Sequence, residues 1–298
     1  MLKQEPQTFL FGISETSYNI LFIYLFLNII MVLESIINPK NAIGKPAHVF
    51  MIAFIYTIVS AFVSQHIFPS SASILTISFI TILFVPFFQQ LFEIEEKKED
   101  MAALGKSSNI FVRHSGIIYI FTLFFLGVIV AMTFLYVFFP SQNLFAAQTT
   151  TLKSFSTAGI TDRGEFSRFF INNTQVMIAL FLLSFVFGAG AIFILAWNAS
   201  VIAVYLGLFI ESLLVKGVGT TVAFVYGIPL GLSTLALHGV PEVLAYFIAG
   251  LAGGVLSVGV IREKFFSKEF RMIFKDSILL LVLAEFLISV AAYIEATL

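Results

Sequence analysis

The stretch from Gly227 to Val260, GIPLGLSTLALHGVPEVLAYFIAGLAGGVLSVGV, constrains this chain more than any other. It is mostly apolar and dense in glycine, yet it holds His238, a break at Pro241 and Glu242, none of which hydrocarbon accepts cheaply. A stretch like this belongs in a bilayer, and its polar residues mark a shaped interior. Composition agrees: 59% of the 298 residues are hydrophobic and 11% are charged, where a soluble domain carries about a quarter charged. Such a chain cannot clothe a water-facing surface.

The formal net charge of -1 and the lack of any finger, Walker or dinucleotide pattern argue against nucleic acid as a partner. With no cysteine there is no disulfide, thiolate nucleophile or thiolate metal site. Acids at Glu5 and Glu15 and the missing small-residue cleavage site mean that the N-terminus does not read as a removable signal peptide.

A helix needs about 20 apolar residues to cross a bilayer. Residues 18–33 fall short of this, so 1–48 reads as a cytoplasmic interfacial segment, with a true span at 18–33 as the alternative. Clear spans follow at 49–67, 72–92, 115–139, 173–197, 243–261 and 277–294. Residues 93–114 read as a solvated cytoplasmic loop or short helical projection of mixed charge, and 141–171 as an outer-side cap containing a short amphipathic helix, with a plain loop as the alternative. The whole chain, 1–298, is then a single transmembrane domain. Its fold class is all-α: a polytopic helical membrane protein of about seven spans plus interfacial and broken or re-entrant helices.

Lysine and arginine set the orientation. They gather in 37–47, 93–113 and 262–275 and are sparse in 141–171. The first three segments are therefore expected in the cytoplasm and the last outside, giving a multi-pass protein of the cell membrane with its N-terminus inside and its C-terminus outside. If the span ending at Trp197 and the one ending at Arg262 both finish in the cytoplasm, 199–237 makes one net crossing despite holding two apolar helical candidates. The crossing count predicts a re-entrant or interfacial piece at 199–214 and an outer turn at His238–Pro241.

FFINNTQVMIALFLLSFVFGAGAIFILAWNASVIAVYLG, with Asn172, Asn173, Gly188, Gly190, Asn198 and Gly207, together with LHGVPEVLAYFIAGLAGG, resembles the integral-membrane family of stage II sporulation protein M, and its archaeal branch in particular. The first 140 residues resemble the same family through NPKNAIGKP, the first hairpin and the charged 93–113 loop. The family's namesake helps anchor cell-wall hydrolases during engulfment, and nothing here looks like such a hydrolase. The resemblance implies a transporter-like or scaffold role.

Each candidate residue has a plain structural alternative. Glu242 after Pro241 is a standard helix start, or with His238 it faces a polar cavity. Glu285 lies inside an apolar span, where a carboxylate turns inward to a partner such as His238, an Asn or water, or is protonated. Asn172, Asn173 and Asn198 either cap helix ends or line the same polar core. Gly188, Gly190, Gly207, Gly250 and Gly254 suit close helix packing, and Gly227, Pro229 and Gly231 suit packing or a hinge.

The leading functional reading is a transporter or channel-like component passing a small solute or ion through a polar cavity near Glu242 and Glu285. The alternatives are a non-catalytic membrane scaffold that recruits partner proteins and, last, an intramembrane hydrolase. No catalytic residue, cofactor or metal site is assigned, because His238 and Glu242 form no H-E-x-x-H pattern and the four histidines are dispersed. The expected partners are the lipid bilayer and either a second copy or an unidentified protein.

Overall fold

The computed structural model describes residues 47–103, 110–158 and 166–297. Eight α-helices run through them: α1 Ala47–Ile67, α2 Ala72–Ala103, α3 Ile110–Phe138, α4 Gln142–Ala158, α5 Phe166–Phe187, α6 Ala191–Val215, α7 Thr220–Arg262 and α8 Lys268–Thr297. A short 3-10 turn, Pro69–Ser71, joins α1 to α2. All but α4 are long and apolar enough to cross a membrane, so seven candidate spans are described. The chain is an all-α polytopic membrane protein. Of the 1–48 segment, residues 1–46, and with them 18–33, lie outside the described residues, while Ala47 and His48 open α1.

Side-chain pairs give the directions of the helices. Tyr56 meets Phe84 and Ser64 meets Thr76, so α1 and α2 are antiparallel. Phe84–Phe124, Phe88–Phe121 and Glu95–His114 make α2 and α3 antiparallel. Gly227 meets Ile210 and Gly231 meets Leu206, so α6 and α7 oppose each other, as do α7 and α8 through Gly259–Ile273 and Ala252–Ser277. A ladder of Phe84, Phe88 and Phe92 on α2 stacks with Phe121 and Phe124 on α3 and reaches Phe247 on α7 through Phe121. This ladder carries the aromatic part of the core from α2 to α7.

The reversal that the charge pattern hides lies at Gly188–Gly190. There α5 ends and α6 begins, ahead of the break expected at Trp197–Asn198. The chain turns with Gly188 at φ 68, a left-handed backbone that a residue without Cβ adopts at little cost. The Ser184 hydroxyl donates to the Gly188 carbonyl at 2.9 Å and closes the helix end. An added Cβ at Gly190 would strike the Leu183 carbonyl. The 199–214 stretch, expected to be re-entrant, is instead part of the unbroken 25-residue α6. With this extra reversal the seven long apolar helices alternate in direction, and the charged ends of α2 and α7 and the charged starts of α3 and α8 fall at one end of the bundle without any re-entrant piece.

The outer turn expected at His238–Pro241 is likewise absent, because α7 continues for 43 residues through both Pro229 and Pro241. A helical proline has no N–H and displaces the carbonyl four residues back. The carbonyls of Val225 and Leu237 therefore lose their helical donors without ending the helix. Asn173, expected as an N-cap, lies inside α5, which starts at Phe166.

The 93–114 segment also differs from a solvated loop. Helix α2 extends to Ala103 and α3 starts at Ile110, with Glu95 and Glu96 buried. The apolar stripe Phe88, Leu91, Phe92 simply continues at helical spacing into these acids. In the 141–171 cap, residues 142–158 form the amphipathic α4. Its Gln148 is buried, donating to the Ser73 carbonyl at 3.4 Å and the Ser200 hydroxyl at 3.2 Å. Residues 159–165 lie outside the described residues.

Candidate functional site

The predicted polar residues fall into two groups on α5, α7 and α8. On α8, Glu285 accepts a hydrogen bond from the Thr174 hydroxyl of α5 through Oε1 at 3.0 Å, while its Oε2 is buried without a hydrogen-bond partner. Next along α5, Asn172 is exposed and donates to the Oδ1 of buried Asn173 at 3.0 Å. The partner of Glu285 is thus a threonine rather than His238 or an asparagine.

The second group stands near the middle of α7. His238, Glu242 and Tyr246 succeed one another at four-residue steps on one helix and so share a face. The continuity of α7 through Pro241 is what brings His238 and Glu242 together. The buried Tyr246 hydroxyl donates to Glu242 Oε1 at 2.8 Å, and His238 Nδ1 is buried without a partner. Glu295, near the end of α8, lies within electrostatic reach of both Glu242 and Tyr246. It falls after the last apolar run and was not singled out in the sequence.

Helical geometry explains why these groups point inward. The face of α7 that carries His238 and Glu242 also carries Gly227 and Gly231, packed on α6. Further along, Gly253 packs on Phe181 and Ser184 of α5, and Gly259 on Ile273 of α8. His238 and Glu242 therefore sit where α7 passes from one set of neighbours to the next. Chemically, the two groups offer carboxylates and hydroxyls able to take up a proton or a cation. Among the described residues no three of His, Asp and Glu gather as a metal site would require.

The remaining predicted residues act in packing. Asn198 donates to the Ile194 carbonyl of its own helix at 2.8 Å. A Cβ on Gly207 would enter the Tyr136 ring, one on Gly254 would lie 2.7 Å from the Phe92 ring, and one on Gly250 would stand 3.0 Å from Ala191 Cβ. The glycines around Pro229 pack as tightly: a Cβ on Gly227 would lie 2.7 Å from the Ile210 side chain.

A third feature is an ionic cluster at the charged end of the bundle. Glu95 accepts from Lys98 at 2.5 Å and contacts buried His114 at 2.8 Å, and Lys98 also donates to the Arg113 carbonyl at 3.0 Å. Arg113 pairs with Asp276 of α8, and Arg262 of α7 reaches Glu93 at 2.6 Å. These ties join α2 to α7 and α3 to α8. They were missed because a mixed-charge run reads as solvated, although the apolar spacing running into Glu95 and Glu96 carried the signal.

Finally, a cavity of about 390 Å³ lies between α3 and α7, floored by Ile202 of α6. Its α3 wall is Thr122, Phe125, Leu126 and Ile129, and its α7 wall includes Leu232, Ala236, Gly239, Val243 and Phe247. Neither His238, Glu242 nor Glu285 borders it. They lie on the other side of α7 or on α8.

Comparison with known proteins places this architecture. The sequence pattern described as Stage II sporulation protein M matches residues 120–298, which takes in most of α3 and all of α4 to α8. Neither the curated proteins nor the solved structures provide a match. The matched region covers more than half of the chain and contains both polar groups, the Gly188–Gly190 reversal and the whole of α7. The chain belongs to the stage II sporulation protein M family.

Proposed function

We propose that this protein is a transport component that passes a small solute or ion, with Glu285 and Glu242 as the groups that take up a cation or proton inside the membrane. The observation that carries this reading is the state of Glu285. One carboxylate oxygen is held by Thr174 and the other is buried and free of partners, within a helix apolar enough to span. Ionisable groups at such positions are costly and mark ion or proton pathways. Helix α7 adds a movable element, since Pro229 and Pro241 weaken its hydrogen bonding on either side of His238. The concentration of lysine and arginine at the ionic-cluster end supports a cytoplasmic location for that end.

A membrane scaffold is the second reading. It is favoured by the lining of the α3–α7 cavity, which is almost wholly apolar and includes neither Glu285 nor His238. The two readings separate in liposomes. Proton and monovalent-cation flux is expected with the native chain and not with a Glu242→Gln, Glu285→Gln double variant. Equal, background flux for both proteins would favour the scaffold.

A further inference from the structure

We propose that the cavity between α3 and α7 is a binding site for one hydrocarbon chain of a bilayer phospholipid, which wedges α7 away from α3. Ring pairs join the two helices at two places. Phe247 packs on Phe121 and Phe125 with ring centroids 5.5 and 5.6 Å apart, and Phe224 packs on Phe134 and Phe138 at 6.0 and 5.4 Å. Between Phe224 and Phe247, α7 uses about 35 Å of helix, whereas Phe121 to Phe138 occupies about 26 Å of α3 at 1.5 Å per residue. Between these contacts α7, with Gly239 and Pro241, stands off from α3, and the cavity is the space left there. Phe125 and Phe247 line one end of it and Ile129 and Leu232 the other.

Its chemistry selects the occupant. The hydroxyls on its wall are already engaged within their own helices, Thr122 with the Ile118 carbonyl at 2.9 Å and Ser233 with the Leu230 carbonyl at 2.6 Å. Nothing polar is offered to water or a headgroup, and an apolar cavity holds no water. The α3 wall lies in the middle of a candidate span, at the depth of hydrocarbon chains. A void there would cost its lining dispersion contacts, which a chain entering from the bilayer restores. Walls from three helices set this space apart from the open lipid-facing surface, where chains exchange freely.

Gly239 supplies the test. A Cβ added there meets only Leu235 Cβ at 3.7 Å, an ordinary contact, and Gly239 lines the cavity, so Gly239→Leu places a side chain into it. Purified protein is placed in vesicles of phosphatidylcholine and phosphatidylglycerol containing a trace of phosphatidylcholine with a diazirine at mid-chain. After irradiation, labelled peptides are mapped by mass spectrometry. Labelling is expected to concentrate on the 122–129 and 236–243 segments, several-fold above the exposed α8 residues Val282 and Phe286. In Gly239→Leu it should fall to the α8 level while α8 labelling stays constant. Ala236→Leu, at the same wall, provides a second filled variant should the first fold poorly. Cavity labelling no higher than that of α8, or unchanged in a folded filled variant, would overturn the proposal.

Discussion

Thr174 on α5 donates its hydroxyl to Glu285 on α8 at 3.0 Å, tying the two helices together. This bond fixes which carboxylate oxygen is held and which is left free. Replacing Thr174 by Val keeps the shape and removes the donor, leaving a buried carboxylate without this bond. The expected loss of stability is about 1–3 kcal/mol, with Thr174→Ser close to wild type. Thermal unfolding in detergent, followed by the fluorescence of the single tryptophan, Trp197, measures it. Equal midpoints for Val and native Thr at 174 would show that the bond contributes nothing.

The ionic cluster predicts an asymmetry between breaking a pair and replacing it. Arg113→Ala leaves Asp276 buried beside a lost partner and should cost about 3–5 kcal/mol, whereas Arg113→Met with Asp276→Leu should lie much closer to wild type. Denaturation midpoints of the two variants, compared in one detergent, decide the matter. A double variant as unstable as the single one would contradict the burial argument.

At Gly188 the backbone alone is tested, because an added Cβ there meets only the Gln89 side chain at 3.7 Å or more. Alanine at a left-handed position costs about 1–2 kcal/mol, and asparagine, which tolerates that region, should cost less. The order Gly, Asn, Ala in thermal midpoint is expected. Alanine equal to glycine would mean that the turn relaxes to an ordinary backbone.

Close packing of α7 on α6 predicts that Gly231→Leu is disruptive, because even its Cβ would collide with Leu206. Overpacking costs about 1–3 kcal/mol, so reduced yield of folded protein on size exclusion is expected. A variant that elutes like wild type and transports equally would remove the reason to single out Gly231.

These predictions rest partly on features visible in the sequence and partly on features that were silent there. Charges at 93–113 and 262–276 identified one end of the bundle, and the long apolar runs located most of the spans. The reversal at Gly188–Gly190 was silent because apolar residues flank it on both sides and no charge marks the turn. Pro241 misled in the other direction: its local preference is to start a helix, but packing on α5, α6 and α8 carries α7 straight through. Glu285 stood out as a charge inside an apolar run. Its partner did not, since no local pattern links positions 174 and 285. Glu295 escaped notice because the run had already ended.

The central claim is that Glu285 takes up a proton or cation within the membrane. It is tested most directly by charge movement in proteoliposomes adsorbed on a solid-supported membrane, recorded after steps in proton or monovalent-cation concentration. Native protein should give transient currents that Glu285→Gln abolishes while the Glu285→Gln protein stays folded by Trp197 fluorescence. Currents of the same size from folded Glu285→Gln, or none above empty liposomes from the native chain, would contradict the account.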